Sequence, residues 1–181
     1  MTQTHPSAKE IERAIRNIPD FPKAGIQFKD ITPVLADARL FSGCVDLLID
    51  GIKPGTVDAV VGIDARGFLF GAAVAYKLGV GCVPIRKKGK LPYKTIGSSY
   101  QLEYGDAEVE MHVDAIKPGW RVLVHDDLLA TGGTASAAAN LVKRVGGELA
   151  GFSFLINLDF LPGAKNLEGK FGLKPFYQVV Y

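Results

Sequence analysis

The chain has 181 residues, 48% of them hydrophobic and 22% charged, with a formal net charge of +2. This length suits one α/β domain with a sizeable core, and so small a net charge does not argue for nucleic acid as the partner; the placement of the cations matters more. Cys44 and Cys82 have no paired spacing and Met1–Ser7 is polar, so a cytoplasmic protein without a disulfide framework or signal peptide is expected.

Ser7–Asn17 reads as a short amphipathic helix, with Ser7 and Glu10 at the capping-box offset and Ile11, Ala14, Ile15 and Ile18 along one side. Pro19–Gly25 breaks regular structure, and Ile26–Pro33 reads from spacing alone as an apolar arm packed on the main sheet. Asp37–Ile52 carries a capping Asp37 and apolar residues on a helical period, and Lys53-Pro54-Gly55 ends it. Ala59–Ile63 is a buried strand, followed by Asp64-Ala65-Arg66-Gly67 and an apolar helix Phe68–Leu78 that Gly79 closes. The apolar run stops at Lys77, short of a membrane span.

Gly81–Ile85 is a third strand, and the basic cluster Arg86-Lys87-Lys88-Gly89-Lys90 follows it. Such a cluster is a solvated face or an RNA contact, but Gly89 and Pro92 interrupt it and it lacks interleaved aromatics. Ser98–Tyr104 and Glu108–Val113 alternate as an antiparallel hairpin around Gly105-Asp106, with Glu103 and Tyr104 near the turn. Glu148–Leu158 is a core strand, Leu161-Pro162-Gly163 a turn and Phe176–Val180 a last short strand.

The chain is organised around Arg121–Thr134. Val122-Leu123-Val124 has the pattern of a buried parallel strand, and Asp126 and Asp127 follow at its C-terminal end. The loop Ala130-Thr131-Gly132-Gly133-Thr134 then opens into a helix over Ala135–Val145. Small residues before a helix offer backbone N–H groups and the positive end of the helix dipole to an anion. Two carboxylates beside an anion cradle repel the ligand unless its own hydroxyls donate to them. One ligand meets both conditions: a sugar phosphate with its diol on the aspartates. No Lys stands where a Walker A loop requires one, and Gly132-Gly133 does not supply a dinucleotide fingerprint.

Val122–Thr134 resembles the phosphoribosyl pyrophosphate (PRPP) signature of the type I phosphoribosyltransferases, and its wording resembles the members that use adenine. His125 departs from the pattern, which has Val or Ile there; an imidazole at that position is expected to be packed against a hydrogen-bond partner. The resemblance covers roughly residues 19–158. It implies an open, mostly parallel twisted sheet flanked by helices, with a small N-terminal hood and a mobile lid hairpin. It also implies one domain over 1–181, with the arm and hood in 1–34 and the lid and hairpin in 86–113.

The resemblance implies the chemistry as well: purine salvage, with adenine and PRPP giving AMP and pyrophosphate through an oxocarbenium-like transition state. Asp126 and Asp127 would hold the ribose diol, and Ala130, Thr131, Gly132, Gly133 and Thr134 the 5′-phosphate. Ala65 and Arg66, in a turn whose Asp64-Ala65 peptide is often cis in the family, would bind pyrophosphate, with Lys87 and Lys90 arriving from the lid. Phe28 would stack on adenine while backbone groups of Gln27 and Lys29 read its edge. Glu103 would handle the purine proton with Tyr104 beside it. Mg2+ would be held mainly by PRPP and water rather than by a protein metal site, and a homodimer is implied. Rival readings are a PRPP-sensing regulator, for which Ser7–Asn17 is too short a nucleic-acid module, and an enzyme for another purine base.

Overall fold

The computed structural model describes residues 5–102 and 105–181. The chain forms two compact units, 1–47 and 48–181.

In the first unit, helix α1 (Ala8–Ala14) carries the capping box: Ser7 Oγ accepts from Glu10 N, and the Glu10 carboxylate accepts from Ser7 N. The helix is shorter than the sequence predicts. Residues 11, 14, 15 and 18 satisfy a helical period, yet Arg16–Pro19 leaves it as strand β1. β1 pairs antiparallel with β2 (Gln27–Asp30), Ile18 opposite Phe28, as a separate two-stranded sheet. The segment around Phe28 is therefore a ribbon with its own partner. Phe21 meets Phe28 edge to face at 5.1 Å, and Asn17 Nδ2 donates to Gln27 Oε1 at 2.6 Å. Helix α2 (Thr32–Ala36) follows, and Asp37 Oδ1 accepts from Leu40 N to cap α3 (Ala38–Ile49), whose last turn leads into the second unit.

The second unit is built on a seven-stranded sheet. Its strands are β3 (Ala59–Ile63), β4 (Gly81–Lys87), β5 (Thr95–Leu102), β6 (Gly105–His112), β7 (Arg121–Leu129), β8 (Glu148–Asn157) and β9 (Phe176–Val180). Their spatial order is β5-β6-β4-β3-β7-β8-β9. The pairs β4–β3, β3–β7, β7–β8 and β8–β9 are parallel, and β5–β6 and β6–β4 are antiparallel, so the sheet is mostly parallel. Helices α4 (Gly67–Leu78), α5 (Gly133–Arg144) and α6 (Gly163–Phe171) complete the unit. α4 returns the chain from β3 to β4, and α5 carries it from β7 to β8 on the other side of β3. The direction of winding reverses between β3 and β7, the place where open α/β sheets bind ligands.

The five residues of β3 are all buried, as the uninterrupted Ala-Val-Val-Gly-Ile run requires of a strand covered on both faces. Ala59, Val61, Ile63, Val122 and Val124 share a core with Ala135, Ala138, Ala139 and Val142 of α5, joined by Phe152 and Phe154 of β8. Gly79 closes α4 in the left-handed conformation, φ 71°.

The second unit also differs from the sequence reading: α6 stands where only a turn at Leu161-Pro162-Gly163 is expected, and two strands run differently. Leu102 pairs with Gly105, so Gly105 and Asp106 lie in β6 rather than at the turn. β7 does not stop before the aspartates but runs on through Leu129, held there by β8 alone, because its pairing with β3 ends at His125.

Candidate active site

The end of β7 is a half-paired strand. Among the described residues its β3 side has no strand partner beyond His125, and this opening carries Asp126 and Asp127. Asp126 lines a cleft with Leu128, Leu129, Ala130–Thr134, Ala135 and Phe154, and its Oδ1 lies beside Gly67 at the start of α4. Asp127 turns toward the loop before α4, where its Oδ2 lies 2.9 Å from Arg66 Nε. The first strand–loop–helix unit thus delivers its arginine to the second unit's aspartate.

Asp127 is buried and Asp126 half-buried. Burial, together with the charge of Asp127, pushes Asp126 well above the ordinary carboxylate range. Asp127 is raised too by burial, against which the Arg66 guanidinium works. Asp126 Oδ1 also accepts from Asp127 N at 2.9 Å. A pair destabilised in this way gains from a ligand that brings hydroxyl donors, since hydrogen bonds to the charged form favour it.

The loop after β7 is shaped from outside. Gly132 caps α5 with φ 83°, a left-handed conformation that glycine adopts without steric penalty. Gly163 lies against Ala130: a Cβ built there would overlap the Ala130 carbonyl oxygen. Asn166 Nδ2 donates to the Thr131 carbonyl at 3.0 Å. α6 therefore buttresses the Ala130–Thr134 loop, a contact the sequence does not disclose because residues 131 and 166 are joined only by the fold.

The Asp64-Ala65 peptide is cis. Asp64 Oδ2 accepts from Arg86 Nε at 3.2 Å, tying this turn to the start of the basic cluster. Lys88 pairs with Glu108 at 2.7 Å. Lys87 and Lys90 are exposed and, among the described residues, pair with no carboxylate. Gln27, Phe28 and Lys29 all lie on β2 of the first unit. Glu103 and Tyr104 lie outside the described residues.

His125 is wholly buried on the face of β7 that meets α4, its ring near Gly71 and its Nδ1 3.4 Å from Ser153 Oγ. It is a packed imidazole with a hydrogen-bond partner, as the sequence suggests. Burial pushes its pKa down to about 4 from the ordinary 6.5. A histidine whose folded pKa is depressed lends its full stability above the unfolded value and loses it as pH falls through the interval down to the folded one. Wild type should therefore lose about 3 kcal/mol relative to His125→Val between pH 7 and pH 4, at roughly 1.4 kcal/mol per pK unit. Urea unfolding of both proteins across that range tests this; parallel pH curves would refute it.

No group of three or more His, Cys, Asp or Glu residues able to hold a metal ion occurs among the described residues. The available donors near the cleft, Asp126 and Asp127, are hard oxygen ligands. They suit a Mg2+ ion that keeps several waters and takes one or two carboxylates along with ligand phosphates.

A strand–aspartate–anion-loop–helix array, coupled to a second turn bearing arginine, defines a phosphoribosyltransferase site. The phosphoribosyl transferase domain family matches residues 34–170. Adenine phosphoribosyltransferase from Acidothermus cellulolyticus is 58% identical over 153 residues, covering 84% of this chain and 86% of that protein. The crystal structure of adenine phosphoribosyltransferase from Rhodothermus marinus is 49% identical, with a TM-score of 0.91 over 96% of this chain and 98% of that one. The Saccharomyces cerevisiae enzyme, solved with adenine and an imino-altritol bisphosphate, is 38% identical with a TM-score of 0.84, over 93% and 96% of the two chains. The chain belongs to the adenine phosphoribosyltransferase family. Its reaction is that family's: transfer of the 5-phosphoribosyl group from PRPP to adenine in purine salvage, giving AMP and pyrophosphate.

Proposed function

We propose that the chain performs this transfer by loosening the bond from the ribose anomeric carbon to pyrophosphate ahead of attack by the base. The observation that carries the reading is the Asp126–Asp127 pair at the half-paired end of β7, between the Ala130–Thr134 cleft and Arg66. The 5′-phosphate sits on the backbone N–H groups of Ala130–Thr134 and fixes the far end of the sugar. The diol donates to Asp126 and Asp127, whose charge stabilises the cationic ring as it forms. Arg66, beside Ala65, presents a planar fork to the departing pyrophosphate, while Lys87 and Lys90 act as point charges. PRPP and water, with Asp126 and Asp127 nearby, would hold a Mg2+ ion, which would supply neutralisation of phosphate charge when bound. Glu103 handles the purine proton and Tyr104 flanks it.

Adenine recognition is assigned to the β2 ribbon of the first unit, with Phe28 as the stacking surface and the backbone of Gln27 and Lys29 reading the base edge. An amino donor beside a ring-nitrogen acceptor complements one C=O and one N–H; a keto purine would set oxygen against oxygen. The two units then work as a single transferase domain. The enzyme acts in the cytoplasm as a homodimer. α4 supports this, since Leu69, Ala72 and Tyr76 form an exposed apolar row on a helix whose other side is buried.

The test is AMP formation from adenine, PRPP and Mg2+, run beside hypoxanthine and guanine. Rapid turnover of adenine alone is expected. PRPP binding without turnover of any base would make the protein a sensor, and turnover of another base would move the error to the β2 ribbon.

A further inference from the structure

The lid that the proposed function assigns to Lys87 and Lys90 has a buried carboxylate beneath it. Glu110, on β6 opposite Arg86 of β4, is 6% exposed. Its Oε1 accepts from the backbone N–H of Lys90 at 3.1 Å and of Leu91 at 3.0 Å, and its Oε2 from Thr95 Oγ1 at 3.2 Å. Burial opposes the charge, but these donors outweigh it and hold the carboxyl below its ordinary range. The other end of Lys90 is held as well: its carbonyl accepts from Arg86 Nη1 at 3.0 Å, and Arg86 Nε reaches Asp64. Lys90 N also donates to the Lys87 carbonyl at 3.2 Å, closing the turn. Residues 87–91 thus form an arch whose backbone is gripped from below, with Lys88 folded onto Glu108 and the Lys87 and Lys90 side chains left to project.

We propose that Glu110 is a positioning residue for pyrophosphate: it fixes the arch through the Lys90 and Leu91 amides, so that the two lysines meet the leaving group already placed. This rests on the reading of Lys87 and Lys90 given above. A buried carboxylate meeting backbone N–H groups, rather than the nearby lysines, acts on where the chain runs and not on how much charge it carries. Glutamine keeps an Oε1 acceptor for the same two amides; alanine keeps nothing. The arch is also continuous with the site, because Arg86 links it to Asp64, two residues before Arg66.

The experiment measures pyrophosphate binding by calorimetry and amide exchange at Lys90 and Leu91 in the wild type, Glu110→Ala and Glu110→Gln, together with the KM for adenine. Glu110→Ala should weaken pyrophosphate binding by about tenfold or more, the loss of one or two hydrogen bonds to a charged group, and deprotect both amides. Glu110→Gln should restore both readouts to within about threefold, and the KM for adenine should stay within about twofold in each. If Glu110→Ala fails to fold, Glu110→Asp, whose carboxylate is one methylene short of the same donors, is read in its place. Unchanged pyrophosphate affinity despite deprotected amides would overturn the proposal, and so would equal losses in the Ala and Gln variants. Failure of the wild type itself to bind pyrophosphate would instead overturn the functional reading, and the exchange data would still show whether Glu110 fixes the arch.

Discussion

Replacing Asp127 with Asn should lower kcat/KM for PRPP by about 10²–10³, the usual effect of removing one preorganised charge from a reacting centre. Asp127 is 4% exposed and its Oδ2 lies 2.9 Å from Arg66 Nε, so the substitution removes the anion proposed to face the sugar and also releases the guanidinium that it holds. Asp126→Asn should fall in the same range by a different route. Its carboxylate lines the cleft of the anion loop and accepts from Asp127 N, and the amide that replaces it can satisfy only one of the two hydroxyls of a diol in the same way. The double variant should be little worse than the more severe single one, because residues that act as a unit are not additive. Steady-state AMP formation at saturating adenine checks all three. Single variants within a few-fold of wild type would remove the aspartates from the mechanism.

The second large effect is expected at a residue that touches no ligand. Gly163→Ala places a Cβ on the carbonyl oxygen of Ala130, and both clashing partners are fixed: one is the first residue of α6 and the other is backbone of the anion loop. The loop must shift, and a shift of the order of 1 Å in a positioning element lowers turnover about 10²-fold. The loss should appear largely in the KM for PRPP, because the loop is the part proposed to hold the 5′-phosphate. Gly169→Ala is the control within the same helix. A Cβ there meets nothing within 4 Å, so that variant should keep full activity and gain up to about 1 kcal/mol from helix propensity. Equal kinetics for the two variants would show that α6 has no bearing on the loop.

The strands and helices that pack by local pattern were legible in the sequence. Ala59–Ile63, the cap at Gly79 and the Ser7–Glu10 box all lie where composition puts them, since each depends on residues within one turn or one strand. What escaped depends on distant partners. Residues 15–18 suit a helix as well as a strand, and only Gln27–Asp30 across the ribbon decides between them. Gly105-Asp106 has turn chemistry, yet pairing with residues 101 and 102 draws it into β6. Two aspartates read as the end of a strand, whereas β8 carries β7 four residues further on from His125. At the candidate site, the Asp126-Asp127 and Ala130–Thr134 segments stand out by motif. Gly163, Asn166 and Glu110 do not, because each meets a loop that lies far from it in the chain.

The extended course of β7 also constrains how the site can change by descent. On a strand, a residue's facing is set by counting, and shifting the count by one moves every following side chain to the opposite face. Loss or gain of one residue just before Asp126 would displace both carboxylates, the one that meets Arg66 and the one that lines the cleft. Replacements in this stretch, such as the imidazole at position 125 tucked beside Ser153, leave that arrangement standing. The spelling of the segment is free to drift at positions away from the ligand, but its length is not.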